Sequence, residues 1–165
     1  MPVKAVPQKN VDAKVDKLKI PPHSIEAEQS VLGSMLIAPD SWDKVAELVV
    51  EEDFYNRSHQ IIFRAIVRLL TKSHPIDLIT VSEDLEGMDE LEAAGGFAYL
   101  GELAKNTPSS ANVSAYAQII KERAVVRELI GVAHEIADTG YNPEGRNSGE
   151  ILDMAESRVF EIAEK

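Results

Sequence analysis

Apolar residues along most of this chain recur at the three- and four-residue steps of an α-helix. The clearest stretch is residues 57–71, whose apolar residues share one helical face: Ile61, Ile62, Ala65, Ile66, Leu69 and Leu70. The same pattern predicts shorter helices after Ser24, around Trp42, and at 80–85, 90–93 and 97–104. No segment alternates between apolar and polar residues as a half-buried strand would. The predicted fold class is therefore all-α, and residues 21–110 are expected to form a compact bundle of short helices.

Polar residues predict where several of these helices begin. Ser24 is predicted to cap the first helix and Asp40 the second, because a side-chain oxygen at this position accepts a free backbone N–H. Thr80 followed by Glu83 matches a capping box, in which each residue bonds the backbone of the other. A helix is therefore expected to begin at Thr80.

The pattern changes after residue 110. Residues 113–139 predict one long helix of about 40 Å at 1.5 Å per residue, and 140–145 are rich in turn-forming residues. Asn147 with Glu150 is predicted to cap a second helix, whose apolar residues repeat with the steps of a heptad: Leu152, Ala155, Val159 and Ile162. Two helices joined by a short turn form an antiparallel hairpin. We therefore expect a long hairpin over residues 111–165.

This hairpin carries more apolar residues than two helices need to cover each other, so a second copy of the chain is expected to complete it. The predicted interface consists of Tyr116, Val126, Leu129, Ile130, Ala133, Ile136, Ile151, Leu152, Ala155, Val159 and Ile162. Three of these residues lie near the turn: Ile130, Ile136 and Ile151. They either pack within the hairpin or its dimer, or part of them contacts a different partner.

Composition and charge exclude several classes of protein. The chain has 165 residues and no cysteine, which excludes disulfides, thiol catalysis and cysteine zinc sites. Residues 1–20 hold five Lys and two Asp (+3) with few large apolar residues, and we expect them to be a disordered leader. The other 145 residues hold 12 Lys and Arg against 26 Asp and Glu (−14). A body this acidic repels phosphate backbones, so direct DNA binding is not expected.

No apolar run approaches the roughly 20 residues of a membrane helix, and the first twenty residues lack the apolar segment of a signal peptide. A cytoplasmic protein is expected. The chain also lacks the Gly-x-x-x-x-Gly-Lys pattern that cradles phosphates, since its one glycine pair is Gly95-Gly96. We therefore expect no cofactor in this segment.

The titratable residues form no pattern typical of a metal site or a catalytic site. The four histidines lie far apart in sequence and form no metal-binding pair: His23, His59, His74 and His134. His59 is predicted to be a packed residue with one hydrogen bond. Acidic neighbours such as 51–53 could act as general acid and base, but helix capping and solubility explain them better in a chain this acidic. No catalytic or metal site is therefore predicted.

Five segments together resemble the N-terminal domain of the DnaB family of bacterial replicative DNA helicases. They are PPHSIEAEQSVLGSML, FYNRSHQIIFRAI, PIDLITVSEDLE, GGFAYLGELAKNTPSSANVSAYAQIIKERAVVREL and LDMAESRVFEIAEK, which lie between residues 21 and 165. The resemblance implies a collar of six such domains, a trimer of dimers paired through their hairpins. It also implies that the collar docks the C-terminal domain of primase and helps helicase loaders to act.

The resemblance further implies a RecA-like motor domain that binds ATP and Mg beyond a linker. Since Lys165 falls inside a predicted helix, we expect the natural chain to continue toward that domain. Two other interpretations stay open at this point. One is a freestanding helical dimerisation or adaptor protein, and the other is an enzyme that uses buried carboxylates.

We predict that the isolated chain binds neither ATP nor single-stranded DNA, because it has no phosphate loop and its body is strongly acidic. With a labelled oligonucleotide at physiological salt, fluorescence anisotropy should give a Kd weaker than about 100 μM. Micromolar binding, or ATP hydrolysis in the presence of Mg, would contradict the prediction.

Overall fold

Helices make up the regular structure of residues 19–107 and 109–165, the part of the chain that the computed structural model describes. The α-helices are α1 (Ile25–Ile37), α2 (Trp42–Ala46), α3 (Arg57–Thr71), α4 (Leu78–Gly87), α5 (Gly96–Lys105), α6 (Val113–Tyr141) and α7 (Ser148–Ala163). Two short 3-10 turns occur at Pro39–Ser41 and Glu51–Asp53. The all-α prediction is confirmed. The predicted leader, residues 1–20, lies outside the described residues except for its last two.

Two of the predicted N-terminal caps are confirmed. Ser24 accepts the N–H of Ala27 at 3.2 Å at the start of α1. Asn147 accepts the N–H of Glu150 at 2.9 Å at the start of α7. In both cases the capping residue has an extended backbone, as this position requires.

Three local predictions are wrong. Asp40 lies inside the 3-10 turn Pro39–Ser41 and caps no helix. The cap of helix α4 lies three residues before the predicted one: Asp77 caps the helix, accepting the N–H of Thr80 at 2.8 Å, while the Thr80 hydroxyl accepts the N–H of Asp77 at 2.9 Å. Residues 90–93 form no helix, and 91–95 are turns; Gly95 and Gly96, which start the next helix, adopt positive φ angles of 105° and 83°.

The core of the bundle is mainly aliphatic and is built around α1. Val31 and Leu32 are fully buried there, and α1 packs against α3, α5 and α6. The first half of α6 belongs to the same core, through Val113, Ala117 and Ile120. Division of the chain at residue 110 stays a prediction, but α6 crosses from the core of the bundle into the hairpin without a break.

A buried polar cluster lies within this core. The Glu28 carboxylate accepts the N–H of Tyr55 at 2.9 Å, the N–H of Asn56 at 3.2 Å and Nδ1–H of His59 at 2.8 Å. Nε2 of His59 lies 2.5 Å from the Tyr99 hydroxyl, which also accepts from the Gln29 side chain. The Tyr99 hydroxyl therefore donates to Nε2. His59 is packed as predicted, although it makes two hydrogen bonds instead of one.

Helices α1 and α5 approach each other at Gly33. A Cβ added at this residue would lie 1.9 Å from Oγ1 of Thr107 and 2.4 Å from the carbonyl oxygen of Leu103. The backbone carbonyl cannot move without displacing the C-terminal end of α5. The absence of a side chain at Gly33 therefore sets the spacing of these two helices.

We predict that Gly33→Ala destabilises the fold by about 1–3 kcal/mol, the usual cost of overpacking a tight core. Gly101→Ala is the matched control, since a Cβ at Gly101 of α5 meets no atom within 4 Å. Alanine favours a helix over glycine, so the control should be neutral or slightly more stable. Urea unfolding followed by circular dichroism measures both, and equal stability of the two variants would contradict the packing argument.

Candidate interaction surface on the helical hairpin

Two ion pairs define how α6 and α7 lie against each other. Arg158 of α7 contacts Glu135 of α6 at 3.0 Å, and Lys165 contacts Glu128 at 2.6 Å. As the residue number rises by seven on one helix it falls by seven on the other, so the helices are antiparallel, as predicted. The hydrogen bond to Glu135 raises the pKa of Arg158, and that to Glu128 raises the pKa of Lys165. Both pairs are exposed, so they fix the register more than they stabilise the hairpin.

The buried seam of the hairpin lies between these two ion pairs. Val132 is 4% exposed and Ile162 is 8% exposed. Toward the turn, Ile136, Ile151 and Ala155 are half-buried. These side chains cover each other within one chain, so the seam is the contact that holds the hairpin closed.

Several other apolar residues of the hairpin are exposed. On α6, Val126, Leu129 and Ile130 are 40%, 46% and 41% exposed, and Ala133 is also exposed. On α7, Leu152 is 68% exposed and Val159 is 43% exposed. We call these six residues the outer face.

The six residues lie on one side of the hairpin. On each helix they are displaced from the seam in the same rotational sense, by about 60° to 160° at roughly 100° per residue. Because the two helices run in opposite directions, the same rotational sense leads to the same side. The core residues Val113, Ala117 and Ile120 are displaced in the opposite sense, so the bundle lies on the other side. The outer face is therefore an apolar surface on the side of the hairpin that the bundle does not cover.

The structure divides the predicted interface into three groups. The outer face holds six of the predicted residues. Ile136, Ile151, Ala155 and Ile162 lie in or beside the seam, and Tyr116 packs against the core of the bundle. The heptad residues Leu152, Ala155, Val159 and Ile162 therefore do not share one seam, since Leu152 and Val159 belong to the outer face.

Four residues of this region are not among those that the sequence pattern predicts. Val132 is buried in the seam. The predicted interface contained neighbouring apolar residues of α6 but not Val132 itself. Phe160, 61% exposed, lies at the margin of the outer face, and Tyr141, 85% exposed, lies at the end of α6 next to the turn. Arg127 contacts the bundle over a long sequence separation, which no local pattern reveals.

The remaining candidates have structural partners. Asp53 accepts the N–H of Val50 at 2.9 Å and lies 3.4 Å from Nζ of Lys121, and the Glu28 carboxylate is saturated by three donors. His23 stacks on Tyr55. No group of three or more His, Asp or Glu residues in the described part could hold a metal ion. None of the described helices is long and apolar enough to cross a membrane.

Comparison with known proteins identifies a family and a curated relative to which this chain is similar. Residues 20–122 match the model of the family described as the DnaB-like helicase N terminal domain. The replicative DNA helicase DnaB of Buchnera aphidicola subsp. Baizongia pistaciae is 48% identical over 163 residues, which cover 99% of this chain and 35% of that protein. The chain therefore spans about a third of the length of this curated relative.

Two solved structures are similar along most of the described chain. The N-terminal domain of DnaB helicase from Mycobacterium tuberculosis has a TM-score of 0.81 and 35% identity, covering 86% of this chain and 99% of that one. A DnaB-like replicative helicase, described with its interactions with primase, has a TM-score of 0.67 and 28% identity, covering 82% of this chain and 31% of that one. These likenesses confirm the family resemblance, and the chain belongs to the family of DnaB-like helicase N-terminal domains.

Proposed function

We propose that this chain is the non-catalytic collar domain of a hexameric replicative helicase, which assembles through its hairpin and docks primase and a helicase loader. The outer face carries this proposal, because it is an apolar surface on a protruding element. The ATP-dependent unwinding of DNA belongs to the full-length protein, whose motor domain would bind ATP and Mg. The protein would act in the cytoplasm, in the replisome at the nucleoid.

Self-association is the simplest way to cover the outer face. Soluble monomers rarely expose contiguous apolar patches of this kind. Two hairpins related by a two-fold axis would each cover the other and form a four-helix arrangement. Three such dimers would complete the collar.

Charge around the outer face should modulate this association. Residues 128–165 hold nine Asp and Glu against three Lys and Arg, a balance of −6. Two hairpins with the same negative charge repel each other at low ionic strength, and salt screens this repulsion. Dimerisation through an apolar surface with an acidic rim should therefore become tighter as salt is added.

Docking of primase is supported by the similarity to a DnaB-like replicative helicase described with its interactions with primase. The C-terminal domain of primase would bind the assembled hairpins, while the acidic body of this domain makes no direct contact with DNA. A freestanding adaptor protein is the alternative function. Membership of the helicase family, whose curated members are about three times as long, does not favour it.

We predict that Val159→Asp abolishes self-association while the chain stays folded. Val159 is 43% exposed in one chain, so the aspartate is tolerated there. In the proposed dimer it would place an unpaired charge in an apolar contact, raising the dimer Kd by roughly 100-fold or more. Sedimentation velocity measures the change, and circular dichroism checks that the helical content is retained.

Ser157→Asp is the matched control, because it adds the same charge to an exposed residue of α7 outside the outer face. It should leave self-association unchanged. Both variants are then tested for capture by the cognate primase. Retained dimers in Val159→Asp would show that the outer face is not the interface. Capture of primase by that variant at the level of the unmodified chain would show that docking does not need the assembled hairpins.

A further inference from the structure

A single side chain of α6 joins the hairpin to two separate loops of the bundle. Arg127 donates from Nη1 to the carbonyl oxygen of Pro22 at 2.8 Å and from Nη2 to the carbonyl oxygen of Asp53 at 2.6 Å. Its guanidinium carbon also lies 5.4 Å from the centroid of the Tyr55 ring. Arg127 thus contacts the segment before α1 and the segment before α3 at once.

The bundle holds the Asp53 acceptor in place from within. The buried Glu28 carboxylate accepts the backbone N–H groups of Tyr55 and Asn56, immediately after Asp53. On the other side of Tyr55, the ring of His23 is stacked with a centroid distance of 4.0 Å. The segment that provides the Asp53 acceptor is therefore held by a buried carboxylate of the bundle.

In the described part of the chain, Arg127 is the last residue of α6 that makes a hydrogen bond to the bundle. After Arg127, the buried residues of the described hairpin are Val132 and Ile162, and these cover each other across the seam. Four residues beyond Arg127, α6 contains Gly131, whose Cα faces open space. Glycine is a weak helix former. The distal part of α6 therefore contains a weak helix former one turn after the Arg127 contacts.

We propose that Arg127 is a positioning residue that fixes the direction in which the hairpin leaves the bundle. The core-packed half of α6 sets the axis of the helix, and Arg127 prevents that axis from bending or rotating where the packing stops. If the hairpin assembles as proposed above, Arg127 determines how the outer face is presented to a second copy. That consequence rests on the proposed function, whereas the positioning itself is a property of one chain.

The geometry requires arginine. The two acceptors are carbonyl oxygens of residues far apart in sequence, and a planar guanidinium can donate to both at once while stacking on an aromatic ring. A lysine ammonium at this position keeps the charge but loses the planar fork and the stacking. The Arg127→Lys variant therefore tests whether positioning needs the shape of the guanidinium or only a positive charge.

The test measures a distance within one chain. Because the protein has no cysteine, Lys72→Cys at the end of α3 and Ser148→Cys at the start of α7 can be spin-labelled without other changes. Pulsed electron paramagnetic resonance then gives the distribution of distances between bundle and hairpin turn. Labelled chain is diluted with unlabelled chain, so the signal arises within single molecules whether or not they associate.

We expect Arg127→Ala and Arg127→Lys each to widen this distribution by about twofold or more, as a released hinge does. Arg57→Ala is the control for loss of a guanidinium, since among the described residues Arg57 bonds only Gln60, one turn away on α3, and it should leave the distribution unchanged. An unchanged width in Arg127→Ala would overturn the proposal. A wild-type width in Arg127→Lys would overturn the requirement for arginine.

Two further measurements distinguish a change in the distance distribution from loss of the fold and from loss of self-association. Helical content by circular dichroism identifies a variant that has lost its fold, and Arg127→Lys, which retains the charge and the aliphatic stem, serves if Arg127→Ala does not fold. Sedimentation of the same samples reports self-association separately. A narrow distance distribution in a chain that stays monomeric would count against the proposed function alone, while a dimer with an unchanged width in Arg127→Ala would count against this inference alone.

Discussion

The arrangement of this domain depends on one helix that belongs to two environments. The first half of α6 contributes Val113, Ala117 and Ile120 to the core of the bundle, and its second half forms one side of the exposed hairpin. Because an unbroken helix transmits its direction from one end to the other, the packing of the first half decides where the second half points. The position of the seam with α7 follows from that packing, and the proposed role of Arg127 is to maintain the same direction beyond it.

Local features of the fold could be predicted from the sequence, and long-range ones could not. Residues 57–71 were predicted as a helix with the bounds that α3 has, because amphipathic spacing is a local property. The caps at Ser24 and Asn147 were predicted for the same reason, since each bonds a residue three positions away. At Asp77 the same chemistry was missed, because Thr80 offered a competing match three residues later.

The candidate surface shows what the periodicity of apolar residues cannot predict. Apolar steps identify residues that avoid water, but they do not say which neighbour covers them. Val159 and Ile162 share one heptad pattern, yet one lies on the outer face at 43% exposure and the other in the seam at 8%. The contacts of Arg127 could not be predicted for a different reason: its acceptor at Pro22 lies 105 residues away in sequence. Such contacts depend on tertiary structure, and a single sequence contains no local sign of them.

The buried carboxylate of Glu28 also helps to select one alignment of the helices from several that an aliphatic core would allow. Aliphatic side chains attract each other with little directional preference, so a core of Leu, Ile and Val tolerates several ways of sliding one helix along another. Glu28 finds its three donors only when α1 and the start of α3 are aligned as they are here. A slip of one turn would leave a buried negative charge without hydrogen bonds, which costs several kcal/mol. The cluster thus excludes misaligned packings that the aliphatic residues alone would permit.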